Sequence, residues 1–324
     1  QKQLRMMPGQ EKMVMEFYQK NPSALASLRG TVYEEKIIDA IKSKIISRIT
    51  YVDTNIVDIG TDVNGISYLK DENGVNYEAD LYMDCTGFES LLLEQKLEQQ
   101  FISFKPWLPN DRAVALQTQY TNPEEECHPY TKATAMDAGW RWTIPVYDRI
   151  GNGYCYSSDY ITPEQAEAEL REAVGEYDAP AKHLEMKCGT HQAVAHKNVL
   201  AVGLAGGFVE PLEATGITFT TAVVSDIAGS LNNSGNIWGE QQKSIINKNF
   251  DFMCNEILAF IWIHYYYATK DDTDYWKEAK AKRMDDLPPL AKEIISLFLP
   301  IPQRFINIAP NSMFNIVQWF TVLH

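Results

Sequence analysis

With 324 residues, 45% hydrophobic and 22% charged, the chain can bury one large core or two smaller ones and has an ordinary globular composition. Its formal net charge of -14 and pI near 4.9 argue against nucleic acid or an anionic membrane as partner, since both require basic patches. No signal peptide opens the chain, and no apolar run reaches the roughly 18 residues of a membrane span. Cys85, Cys127, Cys155, Cys188 and Cys254 are dispersed without CxxC spacing, which predicts a reducing compartment, no structural zinc and a cytoplasmic protein.

Residues 1–30 contain a predicted helix, Gln10–Gln19, but no apolar strand followed by GxGxxG. Thr31–Ser47 reads as an amphipathic helix, with Ile37, Ile38, Ile41 and Ile45 at helical spacing. Three strands follow: Ile49–Ile59, Ile66–Leu69 and a third from Val75, divided by Asn64-Gly65 and Asn73-Gly74. Such NG pairs between apolar runs signal hairpins. An apolar strand then ends in Asp84-Cys85-Thr86-Gly87-Phe88.

Asn110–Thr118 reads as a strand entering a second sheet. Glu124-Glu125-Glu126-Cys127-His128 lacks a correctly spaced second ligand pair and reads as a solvated loop. Ala133–Ser158 predicts a hairpin: a strand carrying Gly139-Trp140-Arg141-Trp142-Thr143-Ile144-Pro145, a turn through Arg149–Gly153, and a return strand from Tyr154. Trp140 and Trp142, two apart, project to one face of such a strand. Thr162-Pro163-Glu164 opens a helix with an N-cap and a first-turn proline, running to Gly175. His191 and His196 flank a predicted strand and read as structural or surface residues.

The most informative stretch is Asn198–Thr221. A short apolar run, Val199–Val202, meets a glycine-rich turn of Gly203, Gly206 and Gly207. Missing β-carbons there let backbone approach a flat ligand. Phe208-Val209-Glu210-Pro211-Leu212-Glu213-Ala214-Thr215-Gly216 leads into a helix over Ile217–Leu231. A helix start favours an anion, because its first N–H groups lack internal partners and the macrodipole places about +0.5 charge there. Gly239–Thr269 is predicted largely helical.

The Phe208–Gly216 segment resembles the FVEPLESTG-type segment of the flavin-dependent tryptophan halogenases, and Trp140–Pro145 fits that family's WxWxIP signature. The resemblance runs from about Ser47 to Trp276. It implies an α/β (mixed α+β) protein with a glutathione-reductase-like, aromatic-hydroxylase-like FAD-binding fold, an antiparallel substrate sheet and a helical C-terminal cap. Residues 1–110 and 190–235 would form the flavin module, and 111–189 and 236–324 the substrate module.

By the same resemblance, reduced FAD, O2 and halide yield hypohalous acid, which halogenates an electron-rich, indole-like ring. Thr86, Gly87, Gly203, Gly206, Gly207, Phe208 and Pro211 would contact the cofactor, and backbone N–H groups of Thr215 and Gly216 would hold chloride, bromide or iodide. Glu213 matches the active-site glutamate. Trp140, Trp142, Ile144 and Pro145 would wall the passage between flavin and substrate. A separate flavin reductase is the implied partner, and a homo-oligomer is compatible with the resemblance. The net charge does not oppose a halide site, since screening over roughly 8 Å leaves local dipoles to decide anion binding.

Three departures accompany the resemblance. Ala214 stands where serine is usual. The family's GxGxxG fingerprint and catalytic lysine have no counterpart around Lys2, Lys12 or Lys20, as expected of a chain that has lost an N-terminal stretch. Pro300–His324 lacks the tyrosine- and glutamate-containing segment that holds free tryptophan. An aromatic hydroxylase and a non-catalytic flavin-fold relic or binding module are the alternatives.

Overall fold

The computed structural model describes residues 43–298 except 147 and 236, together with 313–314, 318–319 and 322. The expected helix Gln10–Gln19 and positions 31–42 of the next one lie outside the described residues. Residues 43–45 are helical and Ile46–Arg48 form a 3-10 turn.

The first strands are β1 (Ile56–Asp62), β2 (Gly65–Asp71), β3 (Asn76–Tyr77) and β4 (Tyr82–Asp84). β5 (Phe101–Ser103), β6 (Arg112–Thr118), the one-turn helix α1 (Pro123–Glu126), β7 (Lys132–Met136), β8 (Gly139–Pro145) and β9 (Ile150–Tyr156) come next. Helix α2 (Pro163–Val174) precedes β10 (Lys182–Glu185), β11 (Gly189–His191), β12 (Ala195–His196), β13 (Val199–Ala201) and β14 (Gly207–Phe208). The chain then becomes helical: α3 (Gly216–Asn233), α4 (Glu240–Tyr266), α5 (Asp274–Ala281) and α6 (Pro289–Phe298).

β1, β2 and β3 form the expected antiparallel meander. Its first strand starts at Ile56, later than the apolar pattern suggested. Asn198 ties the meander to β13: its Oδ1 accepts from Ile66 N at 2.8 Å and its Nδ2 donates to Ile66 O at 2.8 Å. An added Cβ on Gly65 would lie 2.0 Å from that Oδ1, so this glycine serves a close approach as well as a turn.

The second sheet runs β10-β6-β9-β8-β7, all antiparallel. Its hairpin turns earlier than expected, before Ile150, and Gly151–Gly153 belong to β9. The reason is steric: Trp142 faces Gly153, where an added Cβ would sit 1.8 Å from the indole. Glycine there accommodates an aromatic neighbour across the sheet. On one side α2 packs through Ala166 and Leu170 against Val114, Leu116, Tyr154 and Tyr156. Thr162 and Gln165 close a reciprocal capping box at its start, and Gly175, at φ 68°, ends it as predicted.

The main core lies between this sheet, the β13–α3 segment and α4. Met253–Ile263 of α4 is buried without a break, as a helix enclosed on all sides must be. α6 packs on α4, with Ala291, Ile294 and Ile295 buried. The expected antiparallel sheet and helical C-terminal part are therefore both present. Among the described residues no helix is long and apolar enough to cross a membrane.

Candidate functional site

β4 and β13 are parallel neighbours, with Ala201 opposite Asp84. The Asp84–Phe88 and Gly203–Gly207 motifs therefore begin side by side at the carboxyl ends of two parallel strands, where α/β sheets bind ligands. Asp84 is fully buried. Its Oδ2 accepts from Leu92 N (2.8 Å) and Leu93 N (3.0 Å), and its Oδ1 from the Thr86 amide (3.1 Å) and hydroxyl (2.6 Å). Four donors satisfy a carboxylate that would otherwise be costly to bury. Ser90 Oγ donates to Ala205 O (2.9 Å), and Phe88 meets Phe208 edge-on at 5.5 Å. The two motifs are one structure.

The glycine turn is braced from behind by His191, which is buried. Its Nδ1 lies 3.1 Å from Gly206 O and its Nε2 2.8 Å from Glu94 Oε2, while Lys187 Nζ donates to the same carboxylate. Burial works to raise the Glu94 carboxyl, but the bonds from Lys187 and His191 outweigh it and hold it below the usual range. His191 is structural, as expected. Its pairing with Glu94, 97 positions away, left no trace in the local pattern.

Gly203, at φ 64°, turns the chain out of β13. Together with Leu204, Gly207, Phe208, Val209, Thr215, Gly216, Ile217, Phe219, Thr220, Thr221 and Ile257 it lines a cavity of about 380 Å³. Of the other expected cofactor residues, Gly206 and Pro211 lie outside this lining, and Thr86 and Gly87 stand at the end of the neighbouring strand. Gly206 and Gly207 serve packing: added β-carbons would lie 3.2 Å from Ala201 O and 2.8 Å from Gly189 O.

Between Pro211 and the start of α3 the backbone takes a strained course. Glu213 (φ 71°) and Ala214 (φ 53°) are consecutive non-glycine residues in the left-handed region. Each such residue costs on the order of 1–3 kcal/mol and persists only where its surroundings enforce it. The reversal sends the Glu213 carboxylate toward α4, where Oε1 lies 3.2 Å from His264 Nε2. Thr215, buried, and Gly216 then begin α3 at the cavity. The first-turn N–H groups of a helix lack intrahelical acceptors, so an anion is favoured there.

Glu210 is a functional candidate that the sequence reading passed over. It is fully buried, and its Oε1 accepts from Trp140 Nε1, Tyr265 OH and Asn110 Nδ2, the last at 3.1 Å. Trp140, 6% exposed, is thus an anchored core residue. Its ring lies 6.0 Å from that of half-buried Trp142, so the two do share a face. Neither lines the Thr215 cavity or a second cavity of about 500 Å³ bounded by Asp137, Tyr160, Glu169 and Tyr275. Ile144 is exposed near the strand end, beside Pro145. The expected four-residue wall between chambers therefore borders neither cavity. Trp140 is drawn instead to the buried Glu210 carboxyl.

The residues present fit a flavin. The cavity volume lies within the usual small-molecule range, its lining is largely apolar, and a helix start supplies polar N–H groups. At Gly87 and Gly216 an added Cβ would meet nothing within 4 Å, leaving the backbone of both motifs open to a flat ligand.

Comparison with known proteins places these features. The sequence model of the tryptophan halogenase family matches residues 41–324, beyond both ends of the motif resemblance. The tryptophan 6-halogenase of Streptomyces toxytricini is 38% identical over 241 residues, covering 74% of this chain and 46% of that protein. The solved tryptophan C-6 flavin-dependent halogenase from taromycin biosynthesis is 35% identical with a TM-score of 0.78, covering 89% of this chain and 57% of that one. The chain spans about half the length of the curated relatives it matches. A different likeness covers only 44 residues, 14% of this chain and 9% of the other protein, at 96% identity to the trigger factor of Pelagibacter ubique. Residues 1–40 lie outside the halogenase match, so residues 1–30, which lack the fingerprint, are no part of it. From its two motifs and the matched span, the chain belongs to the tryptophan halogenase family.

Proposed function

We propose that this protein is a flavin-dependent halogenase acting on an electron-rich, indole-like aromatic with the help of a separate flavin reductase. The observation that supports this most strongly is the strained Glu213–Ala214 turn, which directs a carboxylate toward His264 immediately before the anion-favouring start of α3.

Reduced FAD with O2 would supply the two-electron oxidation of halide to the hypohalous level. Gly203, Gly207 and Phe208 would hold the flavin ring, with Thr86 and Gly87 at the neighbouring strand end. The N–H groups of Thr215 and Gly216 would bind the halide, a contact of about 0.3–1 kcal/mol when exposed and more when partly buried. Glu213 would take the proton displaced from the ring carbon as the carbon–halogen bond forms. Beside His264 the carboxylate is only partly exposed.

The test is mass spectrometry of products from purified protein given FAD, a flavin reductase, NADH, bromide and an indole panel. Gain of bromine is expected. Gain of oxygen would make the protein a hydroxylase, and no product with no flavin retained would make it a binding module.

A further inference from the structure

We propose that Glu210 is a positioning residue for the Glu213 site: its buried carboxyl group, bonded to Trp140, Asn110 and Tyr265, fixes the Pro211–Gly216 turn against α4. The nature of the reaction it serves rests on the halogenase reading above, but the positioning itself does not.

Glu210 stands three residues before Glu213. Between them Pro211 holds φ at -70° and Leu212 opens a 3-10 turn. Both carboxylates reach the same end of α4 at adjacent residues, Glu210 to Tyr265 and Glu213 to His264. The Glu210–Tyr265 bond, one residue along from the Glu213–His264 contact, ties the turn to this end of α4 and restricts its rotation. That enforcement is what two consecutive left-handed residues require.

The donors to Glu210 come from three separate places: Asn110 just before β6, Trp140 in β8, and Tyr265 in α4. A second tier strengthens the node. Asn110 Nδ2 also donates to Tyr265 OH (2.9 Å), and Tyr275 OH of α5 donates to Asn110 Oδ1 (2.9 Å). All donors converge on Oε1, while Oε2 has no hydrogen-bond partner among the described residues. Burial pushes the Glu210 carboxyl up, outweighing the bonds from Tyr265, Trp140 and Asn110. An apolar side chain of similar size would fill the space at lower desolvation cost, so space-filling does not account for a carboxyl group here.

The test compares Glu210→Leu, Glu210→Gln and Tyr265→Phe by NMR and by kinetics with FAD, reductase, bromide and an indole. In Glu210→Leu and Tyr265→Phe the amide resonances of Leu212–Gly216 should move. The kcat should fall about tenfold to a hundredfold, as small misplacements of catalytic groups produce, while KM for the indole stays unchanged. Glu210→Gln keeps the Oε1 acceptor and should restore both. Should the leucine variant not fold, Tyr265→Phe decides. A folded variant with unmoved turn amides and wild-type kcat would overturn the proposal. A wild-type protein that forms no halogenated product would refute the reaction, and the amide shifts alone would then decide the role of Glu210.

Discussion

Glu213 and His264 face each other at the end of α4, with Oε1 3.2 Å from Nε2 and side chains 27% and 12% exposed. His264 Nδ1 lies 2.8 Å from Phe260 O. A carbonyl can only accept, so Nδ1 carries a proton and Nε2 is the atom turned to the carboxylate. The distance is short, but the direction is not that of a hydrogen bond, and Nε2 has no such partner among the described residues. Glu213 therefore lies beside α4 with oxygen capacity left for another proton.

Glu213→Gln keeps the shape and removes the proposed base. General bases contribute about 10²–10⁴-fold, so halogenated product should fall by that order while oxidation of reduced flavin by O2 continues. Product and flavin oxidation measured in one assay check this. Undiminished halogenation would remove Glu213 from the chemistry.

Ala214 occupies φ 53°, a conformation costing an L-residue about 1–2 kcal/mol. Glycine relieves that strain but loses about 0.4–1 kcal/mol through its freer unfolded chain. Ala214→Gly should therefore leave stability unchanged or raise it by up to about 1.6 kcal/mol in urea unfolding. A clear loss of stability would show that the alanine methyl makes contacts beyond those that set the turn.

Gly153 has the opposite constraint. Its Cβ would collide with the Trp142 ring, and overpacking a filled site costs about 1–3 kcal/mol. Gly153→Ala should lower the unfolding midpoint and alter the near-ultraviolet circular dichroism of the tryptophans. An unchanged spectrum and midpoint would mean that Trp142 swings away freely.

Asp111 joins the start of β6 to the end of β9. Burial works to raise its carboxyl, but bonds from the Ser158 amide (2.9 Å) and hydroxyl (2.7 Å) and from Lys105 (3.0 Å) outweigh it and leave it lowered. A carboxyl lowered by folding contributes stability above its unfolded pKa, about 3.9, and loses it as pH falls through the folded value. Asp111→Asn should be less stable than wild type by roughly 2 kcal/mol at pH 7, as for bonds to a charged group. That gap should narrow below about pH 4. A gap independent of pH would deny the charge any part in it.

How much of this was legible follows from range. The capping box of α2, the NG turns of the meander and the strand–glycine–helix run of Asn198–Thr221 are local patterns, and the structure has them near their expected boundaries. The Glu210 node draws on positions 110, 140 and 265, and the Glu94–His191 pair bridges 97 positions. Periodicity carries no information about such meetings. The glycines of β9 looked like a turn because glycine's scarcity of contacts reads alike in a loop and beneath an indole. The tryptophans were correctly placed on one face, but what that face meets depended on the unpredicted carboxyl of Glu210.

The central claim is that halide sits at the start of α3 beside the strained turn. Anomalous diffraction from bromide-soaked crystals containing FAD tests it most directly. The account predicts a bromide peak within hydrogen-bond reach of the Thr215 and Gly216 amides, lost or displaced when Glu210→Leu loosens the turn. Bromide bound elsewhere, with the Thr215 cavity clear of any anomalous peak, would contradict it.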